Sequence, residues 1–219
     1  MKKVFVLILF FALGKSSFAQ LQQKVRISGD PMLIKSVKGI DLDIEGNPFL
    51  YDKWMNATIV FKDSTFKNMQ AEIKYNVMSS EVLVKTENGS EGVFREPIKE
   101  FILKNDGKLK VFRDGFTGAG LKNEQFAEVL YDGKIKFLKL LQKDIIETKG
   151  YNTAVVSKKI DQNVKYFFVQ NGKVTDVKLN DRSVLDYLNS NDASNYVKEN
   201  KLNLKKENDI ISLLRNIFK

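Results

Sequence analysis

Asp41, Asp43 and Glu45 alternate through the stretch GIDLDIEGNPFLYDKW and are followed at once by Gly46. This is how a calcium loop begins, with oxygen ligands at alternate positions, a glycine for the sharp turn and a closing carboxylate six residues later. Asp52 falls at that closing position. Three features oppose the metal. Pro48 stands where such a loop needs a backbone amide, and proline has none. Asp52 is one methylene shorter than the usual bidentate glutamate, and neither flank has a helical pattern. A simpler pattern accounts for the same residues: Ile40, Leu42 and Ile44 face a core, the acids face water, and Gly46-Asn47-Pro48 turns the chain. No metal ligand is expected here.

The stretch DGFTGAGLKNEQF places Gly115 and Gly120 five apart and Lys122 two further on. A phosphate-binding loop needs lysine directly after the second glycine and then Ser or Thr, because the lysine must reach the phosphates that the backbone amides cradle. Leu121 intervenes and Asn123 follows, so a flexible crossover between strands is expected instead. Lysines and aromatics interleave at YDGKIKFLKLLQK and at KKIDQNVKYFF, a mixture that can hold single-stranded nucleic acid. An exported chain does not meet nucleic acid, so Lys134, Lys136 and Lys165 are expected on solvated strand faces or as edge charges that block aggregation.

Histidine and cysteine are both absent. That removes Ser-His-Asp and Cys-His nucleophiles, zinc sites with nitrogen or sulfur ligands, disulfides, and the one side chain that titrates near neutrality unaided. Carboxylate acid–base chemistry, a Ser-Lys pair, a tyrosine nucleophile or an oxygen-ligated cation remain open. No catalytic or cofactor-binding residue and no cofactor is expected.

Export is expected from the first residues. Lys2 and Lys3 precede an apolar run from Val4 to Leu13, and Ser17-Phe18-Ala19 puts small residues at both specificity positions of a signal peptidase site. Cleavage is expected between Ala19 and Gln20, leaving no transmembrane segment in the mature chain, since ten apolar residues are too few to span about 30 Å of hydrocarbon. Loss of Lys2, Lys3 and Lys15 lowers the formal charge from +9 to +6.

Period-two alternation begins at Met55 and recurs at Gln70 to Asn76, Glu81 to Thr86, Ile98 to Leu103, Lys108 to Arg113, Ala127 to Tyr131, Lys134 to Leu141, Val164 to Gln170 and Lys173 to Leu179. Such runs are half-buried antiparallel strands. Asn88-Gly89, Asp106-Gly107, Asp132-Gly133 and Asn171-Gly172 are dipeptides suited to two-residue hairpin turns. Leu138, Leu140 and Leu141, and Tyr166, Phe167 and Phe168, break the alternation. Strands apolar on both faces need two covers, the opposite sheet and the C-terminal helices. After Leu179 the period turns helical, with caps expected at Asp181 and Asp192 and a last helix from Glu207 to Phe218. The fold class expected is α+β, mainly β: an antiparallel meander, as a curved sheet or partly closed barrel, with two or three short C-terminal helices packed on it. The organisation expected is a signal peptide over 1–19, a β domain over 20–180 and a helical segment over 181–219.

The stretches EGNPFLYDKWMNATIVFKD, AEIKYNVMSSEVLVK, FAEVLYDGKIKFLK and VKENKLNLKKENDIISLLRNI resemble a family of exported proteins from Gram-negative bacteria of the Bacteroidetes type, over about Gly46 to Phe218. The resemblance implies a cell-envelope address and the same layout, and it brings no activity. The function expected is non-catalytic, binding or structural, in the periplasm or cell envelope or secreted beyond it. Its partner would be an envelope protein or an anionic envelope surface, and not nucleic acid. Two alternatives stand beside it: a carrier of an apolar, lipid-like ligand inside the curved sheet, and a carboxylate-type glycosidase.

Overall fold

The computed structural model describes residues 33–35, 44–66, 68–86, 89–105, 107–149 and 156–218. The expected signal peptide over residues 1–19, its expected junction at Ala19 and Gln20, and Asp41, Asp43, Asn88 and Asp106 lie outside the described residues. In chain order the elements are β1 (Leu33–Lys35), β2 (Ile44–Glu45), β3 (Met55–Phe61), β4 (Met69–Asn76), β5 (Glu81–Lys85), β6 (Glu91–Phe94), β7 (Ile98–Asn105), β8 (Lys108–Arg113), β9 (Ala127–Asp132), β10 (Lys136–Lys149), β11 (Val156–Gln170), β12 (Lys173–Val177), α1 (Asp181–Leu188), α2 (Asn191–Glu199) and α3 (Glu207–Ile217). With 50% strand and 17% helix the class is α+β, mainly β.

All strands belong to one sheet, in the order β1-β6-β5-β4-β3-β7-β8-β9-β10-β11-β12, with β2 beside β11. The sheet is not closed. A single meander would keep sequence neighbours adjacent throughout; here β1 lies beside β6 and β2 beside β11, and from β3 onward the order breaks once, where β3 to β6 run outward and the chain returns to lay β7 against β3. The return uses only Arg95-Glu96-Pro97, fixed by Lys62 N donating to Pro97 O at 2.8 Å. In a flat sheet β6 and β7 would stand four intervals apart, roughly 19 Å at about 4.8 Å each, whereas the four steps from Phe94 to Ile98 reach only about 14 Å. The strands therefore curl. The rings of Phe61 on β3 and Phe94 on β6 meet at 5.6 Å.

The inner face of β3–β8 buries Ile59, Phe61, Ile73, Phe101, Leu103 and Phe112. On the same face of β10 and β11, Phe137 and Phe168 take the helices, which bury Val184, Leu188, Val197, Ile210, Leu213 and Leu214 against them. The doubly apolar strands thus have the helical cover expected. Their second cover is not an opposite sheet. It is the β8–β9 connection, whose Leu121 and Phe116 pack over Leu138, Leu140, Phe167 and Val169.

Turn chemistry holds in part. Asn171 (φ 51°) and Gly172 (φ 78°) make the tight β11–β12 turn, while Asp132-Gly133 opens a three-residue loop that carries Ile135 into the helical core. The helix caps sit one or two residues earlier than expected: Asn180 accepts from Ser183 N at 2.8 Å and Ser190 from Ala193 N at 3.3 Å. β10 and β11 also run far beyond their apolar cores, as a ribbon whose outer pairs are Ile145↔Ile160, Glu147↔Lys158 and Thr148↔Ser157. Cross-strand partners of matching type extend a hairpin that alternation alone would end.

Candidate functional site

A row of polar side chains crosses the inner face between the two cores. Registered neighbours carry it from strand to strand: Glu128 on β9 opposes Lys139 on β10, and Lys139 opposes Tyr166 on β11. Lys110, from β8, reaches Glu128 Oε1 at 3.2 Å and has Tyr51 within hydrogen-bonding reach. Glu207 enters from the first turn of α3, where a carboxylate suits the helix dipole. Its Oε1 receives Lys139 Nζ at 2.8 Å and the Tyr166 hydroxyl at 2.7 Å.

The titrations diverge. Burial alone would raise the Glu207 carboxyl, but the hydrogen bonds from Lys139 and Tyr166 outweigh it and hold the group below the usual range. Burial, then the hydrogen bond to Glu207, push the Tyr166 phenol well up. Both groups are thus moved away from neutrality, the opposite of what a general acid or base needs. At neutral pH Glu207 is an anion and Tyr166 a neutral donor, a pairing that anchors α3 and does not shuttle protons.

A second ladder lies on the outer face. Arg113 donates to Glu100 at 2.6 Å and to Asp132 at 2.8 Å, and Lys136 also pairs with Asp132. Lys136, expected on a solvated face, is therefore committed to an acid. Lys134 is exposed in the β9–β10 loop and Lys165 is half-buried on β11.

The opening acidic stretch is divided. Ile44 and Glu45 pair with Lys158 and Lys159 of β11 in parallel, as a short strand ahead of the turn. The turn follows at Gly46 (φ 114°), with Asn47 Oδ1 accepting from Phe49 N at 2.8 Å. Glu45 stays exposed on this strand, and Asp52, with 80% of its side chain exposed, lies 3.7 Å from Lys74. The carbonyls of Asn47 and Phe49 do converge on a cation, but it is the Lys143 ammonium, at 2.8 and 2.7 Å. Burial lowers the pKa of that lysine. The glycine-rich stretch also has a packed role: Gly118 and Leu121 exchange backbone hydrogen bonds at 3.1 and 2.9 Å and settle over Val174.

The space inside the curl is filled by rings. Phe101 stacks on Phe112 at 4.9 Å and meets Phe126 at 5.0 Å, and the cavity under Leu50, Met55, Ile73, Tyr75 and Leu103 measures about 10 Å³, scarcely room for a water. A wider, open cleft of about 480 Å³ lies between the start of α1 and the α2–α3 loop, lined by Asn180, Asp181, Arg182, Leu202, Asn203 and Lys205.

Sequence reasoning did not single out Lys110, Glu128, Lys139, Lys143 or Glu207. One signal was present: Lys139 interrupts the run Phe137 to Leu141, and a lysine among apolar strand residues needs a partner. Comparisons with protein-family models, curated proteins and solved structures give no match.

Proposed function

We propose that this chain is an exported, non-catalytic protein of the cell envelope with a binding or structural role. The observation that carries the non-catalytic part is the fate of the seam carboxylates. Glu128 and Glu207, the two acids of the inner-face row, are each engaged by a lysine at 3.2 and 2.8 Å, and Glu207 is held below the range of a proton donor. The ring-filled core supports a binding or structural role over a carrier of lipid-like cargo. The exported part rests on the charged, apolar and small-residue order of the first nineteen residues. The envelope protein or anionic envelope surface named as partner fits the net charge of +9, or +6 without Lys2, Lys3 and Lys15.

The test is expression of the whole chain in a Gram-negative host, followed by fractionation and intact-mass measurement. The expected result is a species beginning at Gln20 in the periplasmic fraction, and a full-length mass in the cytoplasm would refute export. Hydrolysis of envelope glycans by the purified protein, abolished by Glu128→Gln or Glu207→Gln, would overturn the non-catalytic assignment.

A further inference from the structure

The one sheet contains two bodies with separate cores. β3–β8 enclose the aromatic cluster around Phe101, and β9–β12 with α1–α3 enclose the cluster around Phe137 and Phe168. Neighbours along the strand path are joined by three to fourteen registered residue pairs everywhere except between β8 and β9. That junction has two, Phe112↔Glu128 and Arg113↔Ala127. The side chains that cross it are ionic, Lys110 to Glu128 at 3.2 Å and Arg113 to Asp132 at 2.8 Å. Partly exposed ion pairs exchange their partners for water at little cost, and the junction with the fewest registered pairs along the path lies where the two cores part.

A strap closes the other side. Ile44 and Glu45 lie on β11 of the second body. After the turn at Gly46 the chain crosses to β4 of the first, where Leu50 N donates to Tyr75 O and Val77 N to Pro48 O, both at 2.9 Å. Lys143, from β10 of the second body, donates to the Asn47 and Phe49 carbonyls at the crossing. Apolar contact between the bodies comes from Phe126 of the β8–β9 connection and from Leu141, which pack on the first core.

We propose that the β8–β9 junction is a hinge and the strap Ile44 to Leu50 its latch, with the Lys143 ammonium as the catch, so that β3–β8 and β9–α3 open and close as two bodies along the polar seam. Lys143→Met keeps the aliphatic stem and removes the donor that both carbonyls share. The chain has no cysteine, so Leu109→Cys on the first body and Arg182→Cys on the second, both strongly exposed, accept spin labels at single sites.

Dipolar distance measurements on the labelled full-length protein should show one dominant separation. Adding Lys143→Met should raise a second, longer separation from the ~0.1–10% typical of a minor state to a major population. In hydrogen exchange the amides of Leu50 and Val77 should speed up at least tenfold, while those of β7 and of Tyr166 to Gln170 keep their protection. An unchanged distance distribution, or acceleration spread evenly over both bodies, would overturn the hinge. Denaturant-dependent native-state exchange on the unsubstituted protein decides the case even if the variant does not fold. Two isotherms, one for each body, support the proposal, and a single isotherm merging all strands refutes it.

Discussion

Ending the chain after Lys206 should abolish the cooperative fold of β9–β12 and the helices, because α3 closes the second core. The helix places Ile210, Leu213 and Leu214 at zero exposure against Phe137, Phe168 and Val184. At ~1.5–3 kcal/mol for each fully buried large side chain, these three contribute roughly 5–9 kcal/mol as an upper estimate. Ile211, Ile217 and Phe218 add partial burial, and removal would also bare the rings of Phe137 and Phe168 to water. The total stability of a typical domain is ~5–15 kcal/mol, so the loss is comparable with the whole. Calorimetry should find the transition of the second body lost or strongly lowered in the truncated chain, while that of the β3–β8 core persists. Leu214→Ala in the full chain gives a graded version, with a loss of ~2–5 kcal/mol in denaturant unfolding. A truncated chain in which both bodies still melt within a few degrees of the full one would refute this account and would mark α3 as a detachable element.

Glu207→Gln should destabilise the protein at neutral pH and remove part of its acid sensitivity. The native carboxyl is held below its ordinary value, so its contribution is present above the unfolded pKa and lost as pH falls through the folded one. The stability difference between native and variant should shrink toward zero in acid, and a difference constant from neutral pH to strong acid would contradict the assignment. Gly46→Ala should cost more than about 1 kcal/mol, since φ there is +114° and an added Cβ would stand 3.0 Å from Ile160 Cβ. Chemical denaturation measures it, and a neutral result would mean that the strap tolerates another path.

Much of the fold is local and was legible. Alternation located β3, β4, β5, β7, β8, β9 and β12, because half-buried strands must alternate whatever their neighbours are. The helical period after Leu179 located α1 to α3 for the same reason. Glu91 to Phe94 carries no strand signal in the sequence, because Glu-Gly-Val-Phe has too few residues to show a period.

The sequence by itself determined the chemistry that is unavailable, through the absence of histidine and cysteine, and it determined which segments are strand or helix. Tertiary structure decided everything that depends on partners distant in the chain. Lys143 meets the carbonyl of Asn47 across ninety-six positions, and Tyr166 meets Glu207 across forty-one, distances over which no periodicity carries information. Strand order was decided in the same way, since a three-residue return lays β7 against β3 only after the sheet has curled. The stretch that looked most like a cation site does hold a cation, but through the backbone carbonyls of Asn47 and Phe49, and only the folded chain could show that the cation is its own Lys143.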